Sequence, residues 1–567
     1  MKRQLTLSAM LLMAMCSWCC TNFIVGKKAS KDGSVICTYN ADDYGMFQGL
    51  CHFPAAKHPK GSMRKVYDWD TNKYHGEILE AEQTYNVIGN INEWQVTIGE
   101  TTFGGREEMV DSTGIIDYGS LIYITLQRAK SAREAIQIMT SLVEQYGYNS
   151  EGESFTICDP NEAWLMEMMG CASNRRLSKE RTVWVAIRIP DDMISGHANQ
   201  SRISRFIGQG YQKVDIKDLL RQASHSSDIP LVVYSPNVVS YARKMGWFDG
   251  KDEDFSFSNT YAFPDFSGRR ICDARVWSFF RRYADGMDTY LPWAEGLKKD
   301  AEPMPLWVKP NRKLSVADIE TAMRDHYEGT PFSLNGDIGG GIWQMPYRPT
   351  PLYYTLDSKK YFNERPTSTQ QTGFSYVSQM RSWLPREIGG ILWFGNDDGN
   401  MVPYTPVYCC ATESPRPYNT PGADALNFSM ENAFWVQNWV SNMVYPRYSM
   451  LFPSLEHVRD SLDQSYFSLQ KEVEDYALQL YGEDRIRYLT GYTTQKAIEM
   501  IDRWNQLAVY LIVKYNDMTV KPEIDGHFKR TQEGLGARVS RPGYPDSFKR
   551  ALIQQTRNRF EMPAEQE

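Results

Sequence analysis

Short apolar or β-branched runs separated by turn residues dominate the first third of the chain. They predict strands at residues 22–25, 34–39, 95–100, 154–158, 163–168 and 183–189. One stretch differs, because over residues 131–146 the apolar positions recur with a helical period behind a Ser-x-x-Glu capping box that starts at Ser131. Strands and helices in this mixture predict layers of sheet and helix packed on each other.

The remainder of the chain returns briefly to strands and then becomes helical. Helices are predicted at residues 214–224, 235–245 and 315–327, the second with Ser235 and the third with Ser315 as N-cap. Strands are predicted at residues 375–380 and 390–394, and helices at 429–443, 454–481 and 493–515. We therefore expect one large mixed domain over residues 20–425, a helical segment over 426–530 packed on it, and a polar tail over 531–567.

Residues 1–19 have the pattern of a secretory signal. Two basic residues follow the initiator, and residues 5–15 form an apolar stretch shorter than the roughly 20 residues of a membrane-spanning helix. The small residues Ser17 and Cys19 stand three and one positions before Cys20, which predicts cleavage by signal peptidase before Cys20. We expect an exported protein, in the periplasm, at the cell surface or outside the cell, with no integral membrane segment.

A second interpretation of the same stretch is a lipoprotein signal. Cys16 or Cys19 would then carry a lipid and anchor the protein to a membrane. The residues before Cys16 begin without a good aliphatic residue, and Trp18 before Cys19 is bulky. The sequence therefore favours cleavage before Cys20 and leaves the lipid anchor as the alternative.

Composition and charge narrow the classes of partner and cofactor. With 69 acidic and 62 basic residues the net charge is −7, so the charge balance does not call for a nucleic acid. The histidines form no His-x-x-x-His or His-Glu-x-x-His motif, and the mature chain has no paired Cys-x-x-Cys motifs. We therefore predict neither a metal nor an organic cofactor for the reaction.

The predicted cleavage point makes Cys20 the most informative residue of the chain. An N-terminal cysteine holds a thiol and a free α-amine, whose pKa of about 7.7 to 8.0 suits it to accept the thiol proton. The residues from Cys20 onward are Cys-Thr-Asn-Phe-Ile-Val-Gly-Lys-Lys-Ala-Ser-Lys-Asp-Gly-Ser. The Asp32-Gly33 pair in this stretch predicts a hairpin turn, which would bring the second strand back beside Cys20.

This start resembles that of the dipeptidase A and secernin-like family of cysteine N-terminal nucleophile hydrolases. The family pattern is Cys-Thr, a short strand, Gly-Lys-x-Ala-x-x-Asp-Gly-Ser and a second strand. Later blocks, at residues 92–96, 159–164 and 197–202, resemble the family's in the same order, and the resemblance covers most of the mature chain. It implies an α+β fold, a four-layer αββα sandwich of the N-terminal nucleophile hydrolase type, with a helical C-terminal segment.

The resemblance also implies roles for individual residues. In the wider superfamily, which includes bile-salt hydrolases and penicillin V acylases, the second strand ends Arg-Asn-x-Asp and the aspartate helps hold the N-terminal amine. Asp42 matches that aspartate, whereas Tyr39 replaces the arginine and removes a cation that would favour the thiolate. Asn199 matches an asparagine near the oxyanion site, and Arg275 is a candidate for a substrate-facing or charge-balancing arginine.

These observations predict an exported cysteine dipeptidase that hydrolyses dipeptides or short peptides. Two alternatives stay open at this point. The same machinery can cleave a non-peptide amide, as in bile-salt hydrolases and penicillin V acylases. The chain can also be a secreted binding protein that keeps the fold without catalysis, with some of its 15 Trp and 34 Tyr lining a groove.

Overall fold

The computed structural model describes residues 20–43, 45–171, 180–222 and 229–563. The predicted signal, with Cys16 and Cys19, lies outside the described residues. Within the described part the fold is mixed α+β, which confirms the predicted class at that level. No helix in that part combines the length and the apolar character needed to cross a bilayer.

The strands are numbered here in chain order. They are β1 Asn22–Val25, β2 Val35–Asp42, β3 His52–Phe53, β4 Ala56–Lys57, β5 Met63–Tyr67, β6 Tyr74–Leu79, β7 Gln83–Thr84, β8 Val87–Ile88, β9 Ile91–Asn92, β10 Thr97–Gly104, β11 Gly152–Cys158, β12 Ala163–Gly170, β13 Thr182–Ile189, β14 Ile194–His197, β15 Gln212–Lys213, β16 Leu231–Tyr234, β17 Trp307–Val308, β18 Tyr353–Leu356, β19 Lys359–Phe362, β20 Thr372–Met380, β21 Gly390–Asn396, β22 Thr405–Tyr408, β23 Glu523–Ile524 and β24 His527–Phe528.

The α-helices are numbered in the same way. They are α1 Tyr118–Leu126, α2 Ala132–Tyr146, α3 Val238–Lys244, α4 Phe257–Tyr261, α5 Ala274–Tyr283, α6 Leu291–Glu295, α7 Val316–Met323, α8 Arg386–Gly389, α9 Ala433–Val444, α10 Tyr448–Gln479, α11 Gly482–Tyr515 and α12 Asp546–Thr556. A π-helical turn, Gly268–Asp273, leads into α5. Short 3₁₀ helices are Glu107–Met109, Ile216–Arg221, Asp252–Asp254, Met287–Tyr290, Ile338–Gly340, Arg416–Tyr418, Tyr445–Arg447, Asn516–Met518 and Arg557–Phe560.

Two large sheets organise the described residues. The first has the strand order β17-β14-β1-β2-β20-β21-β22, and the second has the order β15-β16-β13-β12-β11-β10-β9-β8-β3. Side chains join the two sheets, as in the 2.7 Å hydrogen bond between Thr97 Oγ1 on β10 and Ser378 Oγ on β20. The strands that carry the candidate site, β1, β2 and β10, therefore lie in the interior of the molecule.

Helices pack against both sheets. Helices α1 and α2 share a buried apolar cluster with β10, β11, β12 and β13 of the second sheet. On the first sheet, Phe279 of α5 stacks on Phe23 of β1 with 4.1 Å between ring centroids. Phe467 of α10 packs against Trp393 of β21, with 4.8 Å between ring centroids. The C-terminal helix α10 thus packs on the first sheet.

The predicted hairpin at the start of the chain is present. Strands β1 and β2 pair antiparallel, with Ile24 opposite Cys37. Gly33 takes a φ of +90°, which a glycine adopts at little cost, and the Asp32 carboxylate accepts hydrogen bonds from Ser34 N at 3.0 Å and Ser34 Oγ at 2.6 Å. The turn therefore returns the chain along the strand that starts beside Cys20.

Several predicted helix bounds need correction. A 3₁₀ helix, Ile216–Arg221, stands within the α-helix predicted at residues 214–224, of which 223 and 224 lie outside the described residues. The helix predicted at residues 235–245 begins at Val238, because Ser235 instead pairs with Trp184 of β13 through Ser235 N and Oγ. Ser315 caps α7 as predicted, but α7 ends at Met323 and not at residue 327. The polar tail contains the helix α12.

Candidate active site

Cys20 lies two residues before the start of β1 and is 5% exposed. Thr21 pairs with Asn40 near the end of β2 through backbone hydrogen bonds of 3.2 and 2.9 Å in the two directions. The hairpin therefore places Cys20 next to the last residues of β2, which include Tyr39 and Asp42.

The thiol of Cys20 faces a phenol and a carboxyl group. Its Sγ lies 3.6 Å from Tyr39 Oη and 3.7 Å from Glu100 Oε1, and Tyr39 Oη donates a hydrogen bond to the same Glu100 oxygen. Burial raises the pKa of Cys20 well above its usual value, and the negative charges of Glu100 and Asp42 raise it further. Hydrogen bonds from the Asp42 backbone and from Tyr39 oppose this rise. The thiol is therefore neutral at rest.

Glu100 is paired with a second buried carboxyl group, Glu153 on β11. The two side chains hydrogen-bond to each other, and each residue is at most 1% exposed. Burial raises the pKa of Glu100, and burial together with the charge of Glu100 raises the pKa of Glu153 well above its usual value. Two carboxyl groups in contact cannot both be charged in such a place, so the pair holds a proton between them.

Arg275 of α5 connects Cys20 to Asn199. Its Nη1 donates to Cys20 O and to Thr21 Oγ1, each at 2.7 Å, and its Nη2 donates to Ala198 O at 3.1 Å and to Asn199 Oδ1 at 3.0 Å. The residue is 0% exposed. Arg275 therefore holds the residues before β1 and the Asn199 loop together.

Asn199 follows β14 and takes a left-handed φ of 58°, which asparagine adopts more readily than most residues. Its Nδ2 donates to Thr102 O at 2.7 Å. An amide nitrogen carries two hydrogens, and the bond to Thr102 uses one of them. The Arg275 bond to its oxygen fixes which side of the amide carries the nitrogen.

The loop after Asn199 is held by a buried carboxylate, Glu167 on β12. Glu167 accepts from Ser201 Oγ at 2.5 Å, Arg202 N at 2.6 Å and Ile203 N at 3.1 Å. Burial raises the pKa of Glu167 to about 7, although these hydrogen bonds lower it. Glu167 therefore positions the loop that carries Asn199.

Asp42 is a fully enclosed carboxylate with two strong partners. Arg365 Nη2 donates to its Oδ2 at 2.6 Å, and Thr372 Oγ1 donates to its Oδ1 at 2.6 Å. Burial raises the pKa of Asp42, and the positive charge of Arg365 opposes that rise. The Asp42 carboxylate is thus tied to Arg365 and to Thr372 of β20.

His197, although close to Asn199 in the sequence, is a structural residue. Its ring nitrogens lie 2.7 Å from Thr101 Oγ1 and 2.7 Å from Thr156 Oγ1. Burial lowers the pKa of His197 to about 3, so the ring is neutral at physiological pH. Both nitrogens are used by the sheets, which excludes this imidazole as the base for Cys20.

Comparison with known proteins places this site in a family. The model of peptidase family C69 matches residues 19–461. The chain belongs to this family. It is therefore a peptidase, as the sequence predicts, and the family match begins next to Cys20.

Curated relatives of this C69 peptidase are named as dipeptidases. A probable dipeptidase of Salmonella dublin is 25% identical over 410 residues, which cover 69% of this chain and 80% of the relative. A probable dipeptidase of Latilactobacillus sakei is 23% identical over 454 residues, 76% of this chain and 81% of the relative. Dipeptidase A of Lactobacillus helveticus is 23% identical over 492 residues, 82% of this chain and 90% of the relative.

The four residues predicted for the site of the C69 peptidase, Cys20, Asp42, Asn199 and Arg275, lie close together. Asn199 and Cys20 both bond to Arg275, and the backbone of Asp42 bonds to the thiol. Their roles stay predictions. Four further residues of the site were not predicted: Glu100, Glu153, Arg365 and Thr372. Glu100 had a signal, a carboxylate at the end of an otherwise uncharged predicted strand, whereas Arg365 stands in an irregular segment with none.

Proposed function

We propose that this C69 peptidase hydrolyses dipeptides, with Cys20 as the nucleophile and the α-amine of the same residue as the base once the chain is cleaved before it. The observation that carries the proposal is the surroundings of Cys20, whose thiol, carbonyl and neighbouring strand are fixed by Tyr39, Arg275 and the end of β2. The names of the relatives support dipeptides as the substrate class.

The fold that this mechanism requires is the four-layer αββα sandwich of N-terminal nucleophile hydrolases, and we include it in the proposal. Its support is the contact between the two large sheets and the helices packed against each of them. The nucleophile would then stand at the start of a central strand, β1, between β14 and β2.

The proposed reaction proceeds in two halves. The amine of Cys20 takes the thiol proton, and Sγ attacks the carbonyl carbon of the peptide bond to give a tetrahedral intermediate. The remaining hydrogen of Asn199 Nδ2 stabilises its oxyanion. The intermediate then breaks the C–N bond, and the ammonium of Cys20 gives its proton to the leaving nitrogen. Water attacks the resulting thioester, which releases the second amino acid and restores the thiol.

Tyr39 performs in this scheme the task of the arginine found in the wider superfamily. A phenol has one hydrogen, and in the resting site it points to Glu100. Once the thiol has given its proton to the amine, the phenol hydrogen can turn from Glu100 Oε1 to Sγ, while the proton held by the Glu100–Glu153 pair limits the negative charge beside the thiolate. The thiolate then gains a hydrogen bond in place of a cation.

We further propose that residues 1–19 are removed by signal peptidase and that the protein is exported. The basic start, short apolar stretch and small residues before Cys20 support this, as does a family match that begins at residue 19. Intact mass and N-terminal sequencing of the exported protein test it. An unblocked Cys-Thr-Asn start is expected, and a lipid on Cys16 or Cys19 would contradict it.

The test of the activity is a substrate panel with two cysteine variants. Unblocked dipeptides should be hydrolysed, whereas N-acetylated dipeptides and penicillin V should be poor substrates. Cys20→Ala should abolish hydrolysis, and Cys51→Ala, at a half-buried cysteine bonded to Gln48, should retain it. Full activity of Cys20→Ala would overturn the mechanism, and faster cleavage of penicillin V than of any dipeptide would overturn the substrate class.

A further inference from the structure

A group of metal-ligating side chains lies outside the candidate active site. It consists of Asp68, His75 and Asp117, in which one possible ligand atom of each residue lies within 4.8 Å of the others. Asp68 follows β5, His75 lies in β6 and Asp117 is the N-cap of α1. The three residues therefore connect the β5–β6 hairpin to the start of a helix.

Asp117 contributes a buried oxygen that lacks a partner. Its Oδ1 accepts the capping hydrogen bond from Ser120 N at 2.9 Å. Its Oδ2 is fully enclosed and has no hydrogen-bond partner among the residues that the structure describes, in a residue that is 2% exposed. A buried carboxylate oxygen without a donor is costly, and a cation at this place would satisfy it.

In Asp68 and His75, one side-chain atom is held by a contact within the protein, and a second atom is the possible metal ligand. Asp68 Oδ1 accepts from Thr71 N at 2.8 Å and Thr71 Oγ1 at 2.6 Å, while Asp68 Oδ2 lies 3.9 Å from His75 Nε2. His75 Nδ1 lies 3.3 Å from the side-chain nitrogen of Asn149. A half-turn of that amide would let its oxygen accept from Nδ1–H, which leaves the lone pair of Nε2 for a metal.

We propose that Asp68, His75 and Asp117 bind one divalent transition-metal ion such as Zn²⁺, with water completing its coordination. Two carboxylates and one imidazole suit zinc and its neighbours, whereas Ca²⁺ and Mg²⁺ favour oxygen ligands. Ligands about 2.0 to 2.2 Å from a tetrahedral zinc lie roughly 3.4 Å apart, so binding draws the three atoms inward. The ion clamps the hairpin to α1 and takes no part in the reaction at Cys20.

The test uses the mature full-length protein, stripped with a chelator and then dialysed against Zn²⁺. Wild-type protein should retain one equivalent by elemental analysis and unfold at a higher temperature with Zn²⁺ than with EDTA. His75→Gln and Asp117→Asn should each weaken zinc binding at least tenfold and abolish the temperature shift. Asparagine is as good an N-cap as aspartate, so α1 keeps its start in the second variant.

His527→Gln, at an exposed histidine on β24, is the matched control and should bind zinc like the wild type. Melting in EDTA shows whether each variant is folded, and Asp68→Asn replaces any variant that is not. Wild-type protein without bound zinc would overturn the proposal. Folded variants of the three ligands that bind zinc as tightly as the wild type would also overturn it.

Discussion

At the scale of single residues, the candidate site shows how a cysteine is kept neutral at rest and prepared for ionisation. Burial and the carboxylates of Glu100 and Asp42 raise the pKa of Cys20, whereas Tyr39 and the Asp42 backbone lower it. The balance between these groups therefore determines how much thiolate is present at a given pH.

Replacing Tyr39 by phenylalanine removes a donor from the thiolate and leaves the ring packing intact. A hydrogen bond to a charged group contributes about 1.5 to 3 kcal/mol, so kcat/KM should fall roughly ten- to hundredfold. The apparent pKa of the thiol should rise, which slows its alkylation by iodoacetamide at pH 7. Steady-state kinetics and alkylation rates across pH measure both effects.

Two further variants allow the Tyr39→Phe result to be interpreted. Tyr376→Phe is the control, because Tyr376 lies 5.9 Å from the Tyr39 ring and its hydroxyl bonds to Ile98 O. It should leave the apparent pKa of the thiol unchanged. Glu100→Gln should act in the opposite direction to Tyr39→Phe, because it removes a negative charge beside the thiol. A Tyr39→Phe protein with the wild-type alkylation profile would contradict the role given to the phenol.

Glu167 makes the stability of the Asn199 loop depend on pH. Its pKa is about 7 in the folded protein and about 4.3 in an unfolded chain. Because the pKa of Glu167 is raised in the folded protein, protonated Glu167 contributes to the free energy of unfolding. This contribution is fully present below about pH 4.3 and is lost as the pH rises to about 7. The Glu167→Gln variant has no ionisable group at this position. The unfolding temperature of the variant minus that of the wild type should therefore increase from pH 5 to pH 8. A constant difference across this range would contradict the raised pKa.

At the scale of elements, the close approach of β10 and β1 depends on a glycine. A Cβ at Gly99 would overlap the side-chain oxygen of Asn22 and lie 3.1 Å from Tyr376 Oη. Asn22 also holds β10 by donating to Glu100 O at 2.6 Å. The absence of a side chain at position 99 thus allows the two sheets to meet beside the thiol.

Gly99→Ala should therefore separate β10 from β1 and move Glu100 relative to Cys20. We expect a loss of about 1 to 3 kcal/mol of stability and a lower kcat, measured by thermal unfolding and kinetics. Gly491→Ala is the control, since Gly491 is exposed in α11 with open space around it. Alanine there should be neutral or stabilise by about 0.5 to 1 kcal/mol. Equal behaviour of the two variants would contradict the packing argument.

Turns and helix starts were predictable where the residues that determine them are close in sequence. The Asp32-Gly33 turn and the Ser131 cap lie within a few residues of the structure that they determine, and both are present. Ser235 shows the limit: its local pattern is that of an N-cap, but a hydrogen bond to Trp184, 51 positions away, holds it beside β13. Tertiary pairing therefore decides the helix start at that point.

Cys20 was predictable from the cleavage point, and the other site residues only through the family resemblance or not at all. Asp42, Asn199 and Arg275 came from the resemblance, and the structure brings them together with Cys20. Arg365 reaches Asp42 across 323 positions of sequence, and neither its neighbours nor its spacing indicate a buried ion pair. Contacts of this range appear only when the sheets are assembled.

At the scale of the whole molecule, a buried ion pair ties the C-terminal helices to the first sheet. Arg381, directly after β20, donates to both carboxylate oxygens of Glu474 on α10, at 2.9 and 2.7 Å. The two side chains are 5% and 11% exposed. The helical segment is thus joined to the sheets by charge as well as by apolar packing.

Arg381→Met should leave the Glu474 carboxylate buried without a counter-charge. Removing one partner of such a pair destabilises a protein by about 3 to 5 kcal/mol, which should lower the unfolding temperature measured by circular dichroism. The double variant Arg381→Met/Glu474→Leu should recover much of the loss, because no charge is left buried. Lys471→Met, in an exposed pair with Asp475, should change stability by less than about 1 kcal/mol. A similar small effect of Arg381→Met would show that the buried pair is not needed.

The enclosure of Cys20 also bears on how the protein ages. Peroxide and other oxidants react with the thiolate form of an accessible cysteine, and Cys20 at rest is both neutral and 5% exposed. In the proposed mechanism the proton leaves the sulfur during turnover, so oxidative damage should accumulate then and not during storage. An idle molecule would keep its thiol intact, and a working one would expose it to oxidation in each cycle.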